Sequence, residues 1–400
     1  MRARTRSASS RLTGGRRRRA LGIRRPMLVL KALFWGSAGA LAWTHAGYPL
    51  AAAALARVRP KAVRKADQTP SVTLIVPAHD EEQVIARRLE NLLALDYPPE
   101  RLEIVVASDA SSDRTDEIVE ELAAREPRVR LRRWPRGGKL PALNKTVAET
   151  DSEVVAFTDA NTAWASDALR KLVSNFADDD VAYVCGRLML QAADGQNREG
   201  VYWRYELWLR ESESKLGSIT GGNGSIYAIR RSDYLEPPFG HDLSFPPLVV
   251  KQGRRAVYEP EAAAFEKPTP ESADEYRRKV RMLPWSWAFL LTGRPLRGVP
   301  PLYAAELISH RHLRYGSGIL HIVLLGSNVA LVGEGKVYQV ALGGQVAWLG
   351  LAAAGRLRLR VPGAALAHYY FLVTAATLAS LVRYVRSGPS LTWEKAEGTR

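Results

Sequence analysis

Polar turns that carry acidic or amide side chains recur in this 400-residue chain, each directly after a run of apolar residues. Three of them hold Glu81, then Asp109, then Asp159 together with Asn161. A carboxylate and an amide oxygen two positions apart can both reach a hard divalent cation, which prefers oxygen ligands. The same residue types also cap helices, as Asp80 could do for the helix after the first turn. Taken singly, the turns leave a ligand site and a structural role open.

Two segments also suggest how a nucleotide could bind. In the second turn, Ser112 or Asp113 could cap the following helix, which would explain Asp113. This role does not explain Asp109, which could contact the base or the ribose of a nucleotide. The Gly-Gly-Lys run that ends at Lys139 lacks the first glycine and the hydroxyl residue of a Walker motif, which excludes a P-loop. Lys139 could still meet a diphosphate as a point charge.

A further carboxylate, Asp242, follows His241 within Pro237–Pro247, a segment whose prolines predict an irregular loop. Asp242 could be a general base or a solvated loop acid. The seven histidines show no HExxH or facial-triad spacing, and we expect His310 and His312 to have ordinary structural roles. No GxSxG motif occurs, so a serine hydrolase has no support.

An alternation of apolar runs and amphipathic segments must position these turns. Runs rich in Val and Ile predict buried strands, and the segments between them have helical spacing. This pattern indicates an α/β fold with a mostly parallel sheet and helices on both faces. Ligands of such sheets bind at the carboxyl ends of the strands, where the turns lie. The predicted strands are 71–78, 102–107, 129–133, 154–158 and 181–186, and the predicted helices are 80–94, 113–124, 141–149 and 166–176.

Long apolar runs flank this region at both ends of the chain. Met27–Ala56 is long enough to cross a bilayer, with a cleaved signal peptide as the alternative. Three further runs, Gly316–Val332, Val337–Ala354 and Ala364–Val382, predict three more spans, with buried helices of a soluble domain as the alternative. Residues 285–315 combine Trp and Arg with Leu and Pro, which predicts interfacial helices lying along the lipid headgroups.

The net charge of +16 is distributed unevenly along the chain. Residues 1–66 hold 16 basic and no acidic side chains, and residues 276–400 hold 16 basic and 4 acidic ones. The middle, 67–275, holds 25 basic and 37 acidic side chains, so the soluble-looking part is acidic and nucleic acid is disfavoured as a partner. We expect the Arg-rich residues 1–26 to be a disordered tail that contacts anionic lipids. The single cysteine, Cys185, excludes an intramolecular disulfide and a cysteine-based zinc site.

The order and spacing of the turns resemble family 2 glycosyltransferases with the GT-A fold, in the membrane-bound branch that includes cellulose and hyaluronan synthases. The motifs that carry this resemblance are Pro77–Glu81, Asp109–Thr115, Gly138–Asn144 and Asp159–Asn161. The similarity covers about residues 70–285 and continues through Tyr202–Glu206, Gly224–Arg231, His241–Gly253, Val257–Glu266 and Glu275–Arg281.

The resemblance implies an enzyme that transfers a sugar from a nucleotide-sugar, a UDP-sugar, to a glycan or lipid-linked acceptor. It implies that Asp242 is the base that deprotonates the acceptor hydroxyl, and that attack without a covalent intermediate inverts the anomeric centre. It implies metal dependence, with Asp159 and Asn161 as the ligands of Mg²⁺ or Mn²⁺. The residues that it places on the nucleotide-sugar are Pro77, Ala78, Glu81, Asp109, Lys139, Asp159, Arg278 and Arg281.

Three positions depart from the family pattern. Asn161 replaces a second Asp, and His241 stands where the family has an acid. Arg278–Trp285 only approximates the Gln-x-x-Arg-Trp motif of processive synthases, which leaves single or repeated transfer open. The first two departures favour the alternative of a non-catalytic membrane protein that retains the fold and binds a sugar or nucleotide-sugar.

The predicted organisation is that of a multi-pass protein of the cell membrane with a cytoplasmic catalytic domain. A single amino-terminal span would then place the Arg-rich tail outside, against the positive-inside rule, so the path of this segment stays open. The predicted parts are a basic disordered tail at 1–26, a membrane helix at 27–57, a GT-A domain at 70–284, interfacial helices at 285–315, three membrane helices at 316–383 and a tail at 384–400.

Overall fold

The computed structural model describes residues 10–190, 200–267 and 272–389, with side chains described from residue 26 onward except at 272–274. Within these ranges, eight strands form one sheet. The strands are β1 (Val72–Ala78), β2 (Leu102–Asp109), β3 (Val129–Trp134), β4 (Val154–Thr158), β5 (Ala163–Trp164), β6 (Val181–Leu190), β7 (Ile226–Arg230) and β8 (Arg255–Glu266).

The sheet is mixed, with the strand order β3-β2-β1-β4-β7-β6-β8-β5. The first half is parallel: β1 pairs with both β2 and β4, and β2 pairs with β3. The strand β7 is antiparallel to both of its neighbours, β4 and β6, while β6 and β8 are parallel. The α/β class is confirmed, and the reversed β7 makes the sheet less uniformly parallel than the sequence predicts.

Helices cover both faces of the sheet and extend beyond it. The helices are α1 (Ser10–Ala42), α2 (Tyr48–Val58), α3 (Ile85–Leu93), α4 (Thr115–Ala123), α5 (Lys139–Ala148), α6 (Ala168–Ser174), α7 (Val201–Leu216), α8 (His241–Lys251), α9 (Ser272–Met282), α10 (Pro284–Leu291), α11 (Pro301–Leu307), α12 (Leu313–Tyr315), α13 (Ser317–Leu331), α14 (Lys336–Arg356) and α15 (Ala364–Ser387).

The described chain divides into two compact units, one drawn from residues 46–315 and 375 onward and the other from residues up to 45 and 316–374. The first unit contains the sheet. All seven residues of β1 are buried, and they alternate between two apolar cores: Leu74 and Val76 lie in one, and Ile75 lies in the other. A strand covered on both faces is predominantly apolar, and the one hydroxyl residue of β1, Thr73, forms a hydrogen bond with Ser152 at 2.7 Å.

The second unit consists of helices. Phe34 of α1 packs with Leu331 and Tyr338 in its small apolar core. Over the part of the chain that the structure describes, four helical segments are long and apolar enough to cross a membrane: Pro26–Val58, Ser317–Glu334, Lys336–Arg356 and Ala364–Ser387. Apolar helices at both ends of an α/β domain thus agree with the predicted fold class.

The chain ends differ from the sequence prediction in one respect. The helix α1 begins at Ser10, so the backbone of residues 10–26 is helical where we predict disorder. Arg favours a helix, whereas Gly14, Gly15, Gly22 and Pro26 oppose it, so we attribute the helix to its continuation from the apolar segment, which needs no new nucleation. Residues 1–9 and 390–400 of the predicted tails lie outside the described residues.

The segment predicted as interfacial, 285–315, contains α10 and α11. Phe289 and Tyr303 from these helices are buried against Phe239 and Leu243, which lie next to and within α8. These helices therefore contribute to the apolar core of the unit that contains the sheet. Their placement at lipid headgroups remains a prediction.

Candidate active site

Four strand ends meet at one edge of the sheet. Ala78, the last residue of β1, is in register with Ser108 near the end of β2. Thr158, the last residue of β4, pairs with Ile226, the first residue of the antiparallel β7. This topology gathers the polar turns predicted to bind a ligand, and it adds the segment before β7 to them.

The central contact at this edge is an ion pair between Lys139 and Asp159. Lys139 begins α5, and its ammonium contacts the Oδ1 atom of Asp159, directly after β4. Ser225 donates a hydrogen bond from Oγ to Oδ2 of Asp159 at 3.1 Å. Gly224 lies beside the pair, where a Cβ would be in ordinary contact with the Lys139 ammonium at 3.8 Å.

Asp109, the predicted nucleotide-base contact, holds the loop that leads to Lys139. Its fully buried carboxylate accepts hydrogen bonds from the backbone N–H groups of Gly137 at 2.7 Å and Gly138 at 3.0 Å. The guanidinium of Arg136 approaches the same carboxylate at 3.0 Å. Gly138 adopts a φ of 93°, a conformation that glycine reaches without strain. Asp109 therefore orders the loop, and its contact with a base stays a prediction.

The turns after β1 and β2 bind each other. Asp80 has a φ of 51° and accepts a hydrogen bond from the Ser112 backbone N–H at 2.6 Å. Glu81 is buried, and its backbone N–H donates to the Thr115 hydroxyl at 2.7 Å. The helix α3 begins only at Ile85, so Asp80 spans two loops instead of capping that helix. Pro77 and Ala78 end β1 directly before this turn.

Glu266 supplies a further carboxylate at the edge, and the amide of Asn161 lies beside it. The Asn161 amide donates to Glu266 Oε1 at 3.3 Å. Burial raises the pKa of Glu266, and the neighbouring negative charge of Asp159 raises it further, while Arg278 opposes the shift. Arg278 lies on α9, where it also pairs with Glu275 at 3.1 Å.

The metal prediction can be tested on these donors. No group of three or more His, Cys, Asp and Glu side chains is arranged as a metal site in the part of the chain that the structure describes. Asp159, Glu266 and the amide oxygen of Asn161 nevertheless supply hard oxygen atoms, the donor class that Mg²⁺ and Mn²⁺ take together with water. The mutual repulsion of two carboxylates beside Asn161 is relieved by a cation. The donor set fits a divalent ion, with Glu266 as a candidate ligand that the motif did not include.

Asp242 lies in the first turn of α8, which corrects the prediction of an irregular loop over Pro237–Pro247. Pro246 lacks the N–H that would bind the carbonyl of Asp242 within the helix. The backbone N–H of Gly222 donates to that carbonyl instead, at 2.7 Å. Pro246 is thus tolerated inside α8 because a neighbouring loop binds the carbonyl that it leaves open.

The electrostatics around Asp242 suit a proton acceptor. Burial raises the pKa of its carboxyl, while the positive charges of Lys139 and Arg311 act in the opposite direction. The N-terminus of α8 favours the ionised carboxylate. Burial, with a smaller contribution from Lys139, holds the pKa of His241 well below its usual range, so its imidazole is neutral. His241 Nδ1 contacts the hydroxyl of Tyr227 at 2.5 Å.

The helix α9 carries the two arginines that are predicted to bind the nucleotide-sugar. Arg278 reaches Glu266 electrostatically and belongs to the edge. Arg281 lies three positions further along α9, on the same side of the helix, and is half-buried. We call Lys139, Asp159, Asn161, Asp242 and Glu266 the sheet-edge site.

Sequence reasoning missed several supporting residues of this site. Arg88 of α3 is buried and donates to the Thr158 hydroxyl at 2.5 Å, next to Asp159. Burial lowers the pKa of Arg88 to about 9, and the charge of Asp159 opposes this. The signal in the sequence is an arginine on the apolar side of an amphipathic helix. Ser225 and Glu266 lie in segments that resemble the family, but only the pairing of β7 with β4 and of β8 with β5 and β6 brings them to the edge.

Comparisons with known proteins agree with this architecture. The family model of glycosyl transferase family 2 matches residues 73–236. The beta-monoglucosyldiacylglycerol synthase of Trichormus variabilis is 31% identical over 216 residues, which cover 51% of this chain and 45% of that protein. The N-acetylglucosaminyltransferase of Rhizobium meliloti is 25% identical over 290 residues, which cover 64% of this chain and 66% of that protein. The chain thus spans about half the length of the first of these relatives.

A solved structure extends the similarity in fold beyond the matched domain. The mannosyltransferase PcManGT from Pyrobaculum calidifontis, in complex with GDP-Man and Mn²⁺, has a TM-score of 0.67 at 24% identity. The alignment covers 90% of this chain and 98% of that chain. The match to the family model confirms the resemblance drawn from the motifs: the chain carries a glycosyl transferase family 2 domain with the GT-A fold.

Proposed function

We propose that this protein is an inverting, metal-dependent membrane glycosyltransferase that moves a sugar from a nucleotide-sugar, a UDP-sugar, to a lipid or glycan acceptor. The observation that carries the proposal is the convergence of Lys139, Asp159 and Asp242 at one edge of the sheet. Lys139 would supply a positive charge, Asp159 an oxygen ligand for the metal ion, and Asp242 a proton acceptor. Sugar transfer of this kind requires all three.

The donor would bind along the β1, β2 and β4 ends. Asp109 and the loop that it orders would contact the nucleoside, beside Pro77, Ala78 and Glu81. Lys139 would contact the diphosphate, and Arg278 with Arg281 would supply further positive charge on the leaving-group side. Negative charge develops on the leaving nucleoside diphosphate, so fixed cations at this place lower the barrier.

Asp159, Asn161 and Glu266 would hold Mg²⁺ or Mn²⁺. When bound, such an ion supplies charge stabilisation to the leaving diphosphate. In its absence Lys139 neutralises Asp159. The similar PcManGT complex contains Mn²⁺ and GDP-Man, which supports a metal and a nucleotide-sugar for this chain without deciding between the two ions or between UDP and GDP.

Asp242 would take the proton of the acceptor hydroxyl as that oxygen attacks the anomeric carbon. Its raised pKa makes it a stronger base than an exposed aspartate. Neutral His241 leaves Asp242 as the acid–base group of the His-Asp pair. A single in-line displacement inverts the configuration of the sugar.

The helices and the relatives support a proposal for the acceptor and the location. Four segments with the length and composition of membrane spans make a multi-pass membrane protein the best assignment, with the GT-A domain in the cytoplasm, where activated sugars are made. The name of the matched beta-monoglucosyldiacylglycerol synthase supports a lipid acceptor, and a glycan is the second candidate.

The test is release of free nucleotide from a panel of UDP- and GDP-sugars by the full chain in lipid nanodiscs with Mn²⁺. We expect one donor to be turned over by the wild type and Asp242→Asn to lose that turnover. Asp167→Asn, which changes an exposed acid before α6, is the matched control and should retain it. Binding of a donor with no turnover in the wild type would support the non-catalytic alternative.

A further inference from the structure

A glycine-rich loop, Ser218–Ser225, connects three parts of the domain. Its sequence, SITGGNGS, contains three glycines, which give the backbone unusual freedom. At one end Ser225 binds Asp159, and in the middle Gly222 binds the carbonyl of Asp242. The same loop thus contacts both Asp159, the proposed metal ligand, and Asp242, the proposed base. Contacts with other parts of the domain must therefore hold the loop in this conformation.

The other end of the loop is held by a buried carboxylate, Glu213 of α7. Glu213 is fully buried and accepts hydrogen bonds from the backbone N–H of Thr220 at 3.0 Å and from the Thr220 hydroxyl. The hydroxyl of Tyr48 donates to it at 2.8 Å, and His310 Nδ1 lies 2.6 Å from it. Burial raises the pKa of Glu213, but His310, Arg311 and the Thr220 N–H outweigh burial and lower that pKa to about 2, so the carboxylate is ionised.

Residues 308–315 complete this arrangement. His310 is 1% exposed, and its Nε2 lies 3.2 Å from Glu206, which also pairs with Arg314. Arg311 donates to the Thr220 hydroxyl at 3.0 Å. The π-helical turn Ile308–His312 turns both His310 and Arg311 toward the loop. We call Tyr48, Glu206, Glu213, Thr220, His310, Arg311 and Arg314 the buried network.

Steric limits confine the loop on its other side. A Cβ on Gly221 would lie 2.6 Å from Arg311 Nη2, and one on Gly222 would lie 2.2 Å from the Tyr183 hydroxyl. Tyr303 donates to the Ile219 carbonyl at 2.8 Å. The loop is therefore closely packed, with no room for a Cβ at Gly221 or Gly222 unless a neighbouring side chain shifts.

We propose that Glu213 is a positioning residue: it fixes the Ser218–Ser225 loop and thereby sets the places of Asp242 and Asp159 for sugar transfer. This inference rests on the proposed function. It also gives the amino-terminal membrane segment a role in the site, since Tyr48 belongs to the candidate span Pro26–Val58. Neither Glu213 nor Tyr48 touches the reacting groups, so both act through the loop.

The experiment measures amide hydrogen exchange across the loop in the full chain in nanodiscs, together with kcat and KM for the donor. Glu213→Gln keeps the shape of the side chain and removes its charge. An unsatisfied buried group should loosen the Thr220 and Gly222 amides, raising their exchange rates by about tenfold. We expect kcat to fall by about tenfold while the donor KM changes by less than about twofold.

Glu211→Gln is the matched control, because Glu211 lies on the same helix but pairs with Lys215 at the surface. It should alter neither exchange nor kcat. Tyr48→Phe removes a single oxygen atom and keeps the inference testable if Glu213→Gln does not fold. It should raise loop exchange about threefold, as expected for one lost hydrogen bond.

The two possible failures are distinct. Loop exchange that is unchanged in both Glu213→Gln and Tyr48→Phe would overturn the positioning role, whatever the enzyme does. Equal decreases in kcat in Glu213→Gln, Tyr48→Phe and Glu211→Gln would also overturn it. Absence of turnover in the wild type contradicts the proposed function instead.

Discussion

The sheet-edge site and the buried network are both built from pairs of acidic and basic side chains, but they differ in exposure. At the edge, the Lys139 and Asp159 side chains are 34% and 26% exposed, whereas those of His310 and Glu213 are 1% and 0% exposed. A partly exposed pair can exchange its partner for a ligand at little cost. The hydrogen bonds of a buried pair are costly to break, because a polar group that loses its partner there has no access to solvent. The difference agrees with the proposal that the edge binds the ligand and reacts while the network holds the geometry.

The largest expected effect concerns the edge. Asp159→Asn removes the charge of the proposed metal ligand, and we expect kcat/KM for sugar transfer to fall by about a hundredfold or more. The free energy of unfolding should change by no more than about 1 kcal/mol, because the ion pair is partly exposed. Kinetics with Mn²⁺ and thermal unfolding of the same samples measure both quantities. An Asp159→Asn variant that keeps its activity but unfolds at a lower temperature would contradict the functional role given to the edge.

The next effect concerns the junction between the two regions. Gly222→Ala places a Cβ against the Tyr183 hydroxyl and strains the loop that binds the Asp242 carbonyl. We expect a loss of about 1–3 kcal/mol in unfolding free energy, together with reduced kcat. Gly200→Ala is the control, since no atom among the described residues lies within 4 Å of a Cβ at that position. Equal stability of the two variants in thermal unfolding would contradict the close packing of the loop.

The smallest effect connects the two regions through charge. Arg311 belongs to the buried network, and its positive charge lowers the pKa of Asp242, a smaller influence than the burial that raises it. Arg311→Gln removes that charge, so the pKa of Asp242 rises. Because the base acts in its ionised form, the acid limb of the kcat/KM profile should move to higher pH.

The control for this profile is Arg254→Gln, whose guanidinium pairs with Asp233. Its acid limb should coincide with that of the wild type. An acid limb that moves to lower pH in Arg311→Gln would contradict the assignment of Asp242 as the base.

Much of the sheet and of its polar edge could be predicted from the sequence. The strands β1, β2 and β4 are local apolar runs, and a parallel arrangement places Asp109 and Asp159 at one edge by topology alone. The boundaries differ by a few residues, as at α3, which begins at Ile85 instead of residue 80 because Asp80 binds the neighbouring turn.

The remaining features depend on contacts between distant residues. The reversed β7 carries Ser225 to Asp159, and β8 carries Glu266 to Asn161, over separations of 66 and 105 residues. His310, expected to be ordinary, lies 97 residues from Glu213 in the sequence. Propensity and spacing report local structure, so these partners could not be inferred without the fold.

The most direct test of the account is nucleotide release by wild type and Asp242→Asn, measured side by side with the donor that the wild type turns over, in nanodiscs and with Mn²⁺. The account predicts that Asp242→Asn binds this donor with nearly unchanged affinity but releases nucleotide at least about a hundredfold more slowly. Equal rates for the two proteins would contradict the assignment of Asp242 as the base, and with it the proposed mechanism.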